Sequence, residues 1–194
     1  MKAPGVHLVR NWPTMMGDAP WEIAFDHVRV PVANRIGAEG AGFALGQKWL
    51  TQGRVVGHGA WSLGVAQRAL DLMIDYARQR VTFGQPLSER QAVQFMIADS
   101  AMEIESLRLM VYRTAWMHDQ GMDIRDASYM TKIMGVEYAA RVVDRAIQVH
   151  GGVGLSKDLP LEYWYRQLRS LRITEGATEV LRWRLARNLI RARG

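Results

Sequence analysis

The sequence predicts a mainly α protein, an antiparallel helical bundle preceded by a short β-strand remnant. Three observations predict it. Apolar residues recur every three or four positions along three long stretches, each leaving one face to be buried against a neighbouring helix. Residues 1–36 instead alternate or run apolar with β-branched side chains and are broken by prolines, the pattern of short strands. Glycine and proline clusters then cut the remainder into lengths that can fold back on one another.

In chain order, Val6-His7-Leu8-Val9 and the run from Ile23 to Val30 read as strands, interrupted by Pro13, Pro20 and Pro31. So few strand residues do not make a stable sheet alone, so 1–36 is expected to complete a sheet whose other strands lie elsewhere. Gly37, Gly40 and Gly42 punctuate a turn, and from Phe43 onward the period is helical, giving a bundle over 37–194. The first stripe is Leu63, Ala66, Leu70, Met73 and Ala77. The second is Val93, Ile97, Ala101, Ile104, Leu107, Val111 and Ala115, and the third Met130, Ile133, Val136, Ala140, Val143 and Ile147. Breaks fall at 83–86, 120–123, 151–154 and 174–176, with shorter helices expected after Pro160 and Gly176. The methionines sit mostly on the stripes and are read as flexible core filler.

Composition narrows the function classes. Hydrophobic residues make up 48% and charged residues 23%, which fits a globular protein rather than a disordered one. No apolar run approaches the roughly 20 residues that a membrane helix needs, and the opening MKAPGVHLVRNW has no apolar core of a signal peptide. The chain has no cysteine, which excludes disulfides, thiolate metal sites and a cysteine nucleophile. A cytoplasmic protein without a metal is expected. The net charge of +6 is carried mainly by arginines, but they are scattered and no nucleic-acid motif accompanies them, so no nucleic-acid partner is expected. Arginine suits bidentate contact with phosphates and carboxylates.

Three segments carry candidate chemistry. In Arg80-Val81-Thr82-Phe83-Gly84-Gln85-Pro86-Leu87, followed by Ser88-Glu89-Arg90-Gln91, one helix ends and another begins. Ser88 and Gln91 have the spacing of a capping box, which is the structural account of Gln91. In Gln148-Val149-His150-Gly151-Gly152-Val153-Gly154 the glycines stop a helix and also leave bare backbone that a ligand could approach. No Gly-Lys-Ser/Thr follows and a helix rather than a strand precedes, so this is neither a P-loop nor a Rossmann turn, and His150 is read as packing. In Arg172-Ile173-Thr174-Glu175-Gly176-Ala177-Thr178-Glu179-Val180, Glu175 falls where a loop meets a helix start. It reads either as a first-turn glutamate favoured by the helix dipole or as a reactive carboxylate to which Gly176 leaves access.

Taken together these segments resemble the acyl-CoA dehydrogenase family, and the resemblance covers essentially the whole chain. That family ends a helix in Arg-x-x-Phe-Gly-x-Pro with a Gln just beyond, then has Gln-x-x-Gly-Gly-x-Gly, then a Glu-Gly-Thr-type segment before its last helix. All three occur here in order. The leader Pro4-Gly5-Val6, Phe25-x-x-Val28-x-Val30-Pro31 and Gly37-x-x-Gly40-x-Gly42-Phe43 is similar to the family's hand-over from middle β domain to C-terminal bundle, and Gly64-Val65-Ala66-Gln67-Arg68-Ala69-Leu70 to its first long bundle helix.

The resemblance implies an FAD-dependent acyl-CoA dehydrogenase, present as its C-terminal portion. Arg80 and Gln91, with Thr82 and Phe83 in the same turn, would contact the FAD of an adjacent subunit, and Gln148, Gly151 and Gly152 would lie along its adenosine part. Ala177, Thr178 and Glu179 would meet the flavin of their own subunit, with Ala177 standing where many members have Thr. Glu175 would be the catalytic base that removes the α-proton of an acyl-CoA thioester, with Gly176 and Arg54 beside the substrate. A homodimer or homotetramer and an electron-accepting flavoprotein are further implications. The spacing from Arg54 to Gly64 is one residue longer than the family pattern, so Arg54, His58 and Trp61 all stand as candidates for the pocket. An acyl-CoA oxidase, a nitroalkane oxidase and a non-catalytic helical assembly module are the alternatives on the same fold.

Overall fold

The structure is a computed structural model describing residues 2–193. The fold is mainly helical, as the sequence predicts, and the chain divides into two compact units, Met1–Lys48 and Trp49–Gly194.

In the first unit, β1 (Val6–Asn11) pairs antiparallel with β2 (Trp21–Phe25), from Val6 opposite Phe25 to Asn11 opposite Trp21. The register shifts between Leu8 and Arg10, so Val9 is a bulge that bends the ribbon. No residue of the pair is fully buried. The strand expected through Val30 stops at Phe25, because His27 adopts a left-handed backbone (φ 48°) that breaks pairing. Helix α1 (Gly42–Gly53) starts in this unit and ends in the next.

The second unit is a bundle around one central helix. After α1 the chain makes a π-helical segment, Arg54–Ala60, then α2 (Trp61–Gln79), a two-residue-strand hairpin of β3 (Val81–Thr82) and β4 (Gln85–Pro86), and α3 (Gln91–Asp119). α4 (Arg125–His150), α5 (Leu161–Leu171) and α6 (Thr178–Arg191) follow. α3 runs antiparallel to α4: Arg145 reaches Ser100, and Thr114 bonds Thr131 at 2.9 Å. α2 runs parallel to α4, since Gly59 meets Thr131 just before its start and Tyr76 stacks on His150 near its end. Ala69, Met73, Leu107, Val143, Leu161 and Leu168 share the main core.

Three details depart from the sequence reading. The inner face of α3 holds Ser100, Ile104, Leu107, Val111 and Thr114, while Ala101 is exposed. Both hydroxyls enter the core because they donate to the carbonyls four residues back, Met96 (2.6 Å) and Met110 (2.8 Å). α4 is buried on most of its surface rather than along one stripe, because α2, α3, α5 and α6 all pack on it. The Ser88–Gln91 capping box does not form: Leu87–Glu89 closes a 3₁₀ turn, and α3 starts after Arg90 with no side-chain cap. Arg90 Nη2 instead donates to the Thr82 carbonyl (2.6 Å), tying the hairpin to the helix start.

The π-helical segment touches α4 backbone to backbone. A Cβ on Gly135 would lie 2.8 Å from the His58 carbonyl oxygen and 3.2 Å from Gly59 Cα. In an exposed helix, Gly→Ala gains about 0.8–1 kcal/mol of propensity. Here overpacking of about 1–3 kcal/mol opposes that gain. Gly135→Ala is therefore expected to lower the urea midpoint of this chain; a raised midpoint would show that the contact is loose.

Candidate active site

Between α5 and α6 the chain makes an irregular turn in which Glu175 (φ 53°) and Gly176 (φ 107°) both adopt left-handed backbone. Such a conformation is uncommon for a non-glycine residue and persists only where its surroundings hold it. Here two buried cations hold it. Arg54, on the π-helical segment, donates from Nε (3.0 Å) and Nη2 (2.8 Å) to the Glu175 carbonyl. Lys132, on α4, donates from Nζ to the Gly176 carbonyl (2.8 Å). Arg54 is 3% exposed and Lys132 fully buried. From the far side, Arg182 on α6 forks onto Glu137 on α4 at 2.6 and 2.7 Å, anchoring the helix that follows the turn.

Glu175 is not a first-turn residue. α6 begins at Thr178, after Ala177 in extended conformation, and its first-turn acid is Glu179. The helix-dipole account of Glu175 falls away, because that effect is confined to the first turn. Its carboxylate Oε2 is buried and without a hydrogen-bond partner, while the side chain as a whole is 34% exposed. His58 Nδ1 stands 3.6 Å from that oxygen, too far for a hydrogen bond. A Cβ on Gly53 would lie 3.7 Å from the same oxygen, so the glycine leaves room there. Among the described residues the Glu175 N–H donates to no backbone carbonyl.

The site is crowded with groups that resist charge. Desolvation lowers the His58 pKa, against the attraction of Glu175. Burial also lowers Arg54 below the ordinary arginine range. Lys132 is pushed down to about 8, first by burial and then by the Arg54 charge.

Of the residues predicted around the substrate, Arg54, Glu175 and Gly176 are brought together, and His58 joins them, whereas Trp61 is exposed at the start of α2. Arg54 and His58 lie on a π-helical segment, Arg54–Ala60, and π-helical turns concentrate at functional sites. Lys132 was missed. Its signal is a lone lysine in register with Val136, Ala139 and Val143 on a core face of α4, where a cation needs a buried acceptor.

The remaining predicted residues gather at the opposite end of α4. Phe83 (φ 49°, 99% exposed) and Gly84 form the hairpin tip, with Arg80 and Gln91 exposed at its base and Thr82 half-buried. Gly151 (φ 61°) closes α4 and, with Gln148 and Gly152, is exposed; a Cβ on either glycine would meet nothing within 4 Å. His150 is buried, bonds the Ala146 carbonyl through Nδ1 (2.7 Å) and stacks on Tyr76, as a packing residue does. About 27 Å of helix, at 1.5 Å per residue, separates Lys132 from His150. Near Glu175, Ala177 is half-buried, Thr178 fully buried and Glu179 exposed.

Comparison with known proteins identifies the family. Residues 40–190 match the family described as "Acyl-CoA dehydrogenase, C-terminal domain". The chain is 40% identical to (R)-benzylsuccinyl-CoA dehydrogenase of Thauera aromatica, over 96% of its own length and 46% of that protein's. It superposes on butyryl-CoA dehydrogenase from Megasphaera elsdenii with a TM-score of 0.87 at 32% identity, covering 97% of this chain and 50% of that one. It superposes on PigA, solved with FAD and proline, with a TM-score of 0.90 at 31% identity, covering 97% and 49%. The chain thus spans about half the length of the relatives it matches.

The buried lysine makes a testable contribution to stability. Its folded pKa of about 8 lies below the ordinary 10.5, so between those values the unfolded chain binds the extra proton. Stability from this group therefore rises as pH climbs from about 8 towards 10.5. Replacing Lys132 by Met should remove that rise. The urea-midpoint gap between wild type and Lys132→Met is expected to move in favour of wild type from pH 7.5 to 9.5; a constant gap would mean that Lys132 keeps its ordinary pKa.

Proposed function

We propose, because this chain belongs to the acyl-CoA dehydrogenase family, that it forms the C-terminal portion of an FAD-dependent acyl-CoA dehydrogenase, an oxidoreductase that introduces a double bond between Cα and Cβ of an acyl-CoA thioester. The observation that carries this reading is the Glu175 carboxylate: one oxygen buried without a partner, on a turn whose two successive carbonyls are clamped by Arg54 and Lys132.

A base that removes the α-proton of a thioester must be close to that carbon and fixed in direction, and the negative charge that develops on the thioester oxygen needs a hydrogen-bond donor. Glu175 supplies the first and its own N–H is available for the second. The clamp keeps the two in register, because Arg54 grips the residue through its carbonyl and leaves the side chain and the N–H to the substrate.

FAD, when bound, supplies the acceptor for the hydride that leaves Cβ. The chain's features fit its parts. An exposed aromatic tip at Phe83, with the Arg90 guanidinium 6.0 Å from its ring and Arg80 exposed at the base of the hairpin, suits a stacked, phosphate-bearing group, and open backbone at Gly151 and Gly152 admits a close approach. On this reading Arg80, Thr82, Phe83, Gln91, Gln148, Gly151 and Gly152 hold the FAD of an adjacent subunit, and Ala177, Thr178 and Glu179 face the one next to Glu175. The separation of the two groups along α4 supports that division. The same reading assigns residues 1–36 to the end of a middle β domain, and the whole protein to a cytoplasmic homodimer or homotetramer in fatty acid metabolism that passes electrons to an acceptor flavoprotein. No helix among the described residues is long and apolar enough to cross a membrane.

Glu175→Gln keeps the shape of the base and removes its proton acceptor. In the whole flavin-loaded protein carrying this chain, the variant should bind FAD and acyl-CoA normally, while flavin bleaching by acyl-CoA in anaerobic stopped flow slows by about 10²–10⁴. Near-normal bleaching would place the base elsewhere.

A further inference from the structure

We propose that His58 is a positioning residue for Glu175, a neutral imidazole that donates its Nδ1–H to the buried carboxylate oxygen Oε2 and so leaves the other oxygen to face the substrate. The inference rests on the assignment of Glu175 as base and adds a residue to which nothing in the comparisons gives a role.

Two buried polar groups face each other without partners. Neither ring nitrogen of His58 has a hydrogen bond of good geometry, nor does Glu175 Oε2, yet Nδ1 and Oε2 are 3.6 Å apart. Leaving these buried atoms orphaned is costly, and a shift of about half an ångström brings them to a normal hydrogen-bond distance. Contacts in an active site without substrate are often long in this way and tighten when substrate closes the site.

The surroundings select the neutral donor form. His58 is 3% exposed. The charged groups facing it are Arg54 from its own segment, Lys132 from α4 and Glu175 from the α5–α6 turn, with the Gly53 carbonyl as a further acceptor. Burial disfavours an imidazolium, and Lys132 and Arg54 work against the attraction of Glu175. A neutral N–H fixes the carboxylate in direction without pairing it with a full positive charge.

The segment that carries His58 is shaped for this contact. Arg54 and His58 are both buried from one π-helical stretch, and they grip the same residue, one at its carbonyl and the other beside its carboxylate. The stretch is held against α4 at Gly59, where a Cβ would come within 2.4 Å of Thr131 Cγ2, so the imidazole has little freedom to turn away.

The contact itself is read on this chain alone, by ¹⁵N NMR of the histidine rings. His58 is expected to be neutral at pH 7 with its proton on Nδ1, and that resonance should move in Glu175→Gln. An imidazolium, an Nε2–H tautomer, or a resonance indifferent to Glu175→Gln overturns the proposal. The role is read in the whole flavin-loaded protein with two variants. His58→Phe keeps the bulk and removes the donor. It should slow flavin reduction at saturating acyl-CoA by about 10- to 100-fold, in the range for misplacing a catalytic group, with the substrate KM little changed. The acid limb of its pH profile should move to higher pH, because a donor to the charged carboxylate has been lost. His58→Asn restores an N–H near Nδ1 and should recover most of the rate. A Phe variant with wild-type rate and pH profile, or equal losses in Phe and Asn with no change of profile, overturns the role. Failure of the Glu175 assignment would show separately, as unimpaired flavin bleaching in Glu175→Gln.

Discussion

Two successive carbonyls in a left-handed turn find their donors on two segments distant in sequence, and much of the bundle is arranged to bring those donors to them. An unpaired buried carbonyl costs about 1–3 kcal/mol, and strained backbone at Glu175 and Gly176 adds to that. Both donors are cations, Arg54 and Lys132, and each comes from a different element. That requirement explains why a lysine sits among valines and alanines on the core face of α4. It also explains why the segment carrying Arg54 lies tight against α4, with glycines at 59 and 135 where side chains would hold the two backbones apart. The Glu137–Arg182 fork completes the frame by fixing the helix into which the turn runs.

The division of the predicted residues between the two ends of α4 follows from the directions of the helices. α2 and α4 run parallel, so the hairpin after α2 and the glycine stop after α4 emerge side by side, where Tyr76 meets His150. The turn carrying Glu175 lies beside the first half of α4, because α5 folds back along that helix from its end. No side chain spans that length, so the two groups of residues do not meet within one chain.

The helical class and the order of the helices were legible because periodicity and glycine punctuation are local signals, whereas the grouping of Arg54 with Glu175 and Gly176 was expected only from the family resemblance. What stayed hidden depends on contacts between distant segments. Ser100 and Thr114 look like solvent-facing positions until their bonds to the preceding turn are seen. Lys132 reads as a surface charge until Gly176 is placed opposite it. The capping box at Ser88 satisfied its motif yet lost to a 3₁₀ turn set by the proline before it. The change of helix type after Arg54 left no mark in the periodicity.

The π-helical stretch after Arg54 has a consequence for the phase of everything downstream. In an ordinary α-helix, one added residue rotates each later side chain by about 100°, and an insertion before α2 would turn Leu63, Ala66, Leu70 and Met73 out of the core. Widening one turn into a π-helix confines the disturbance to 54–60, and α2 resumes with its apolar face still inward. The length of this stretch is therefore uncoupled from the registry of the bundle. Insertions and deletions there can reshape the wall beside Glu175 while the remaining helices keep their partners.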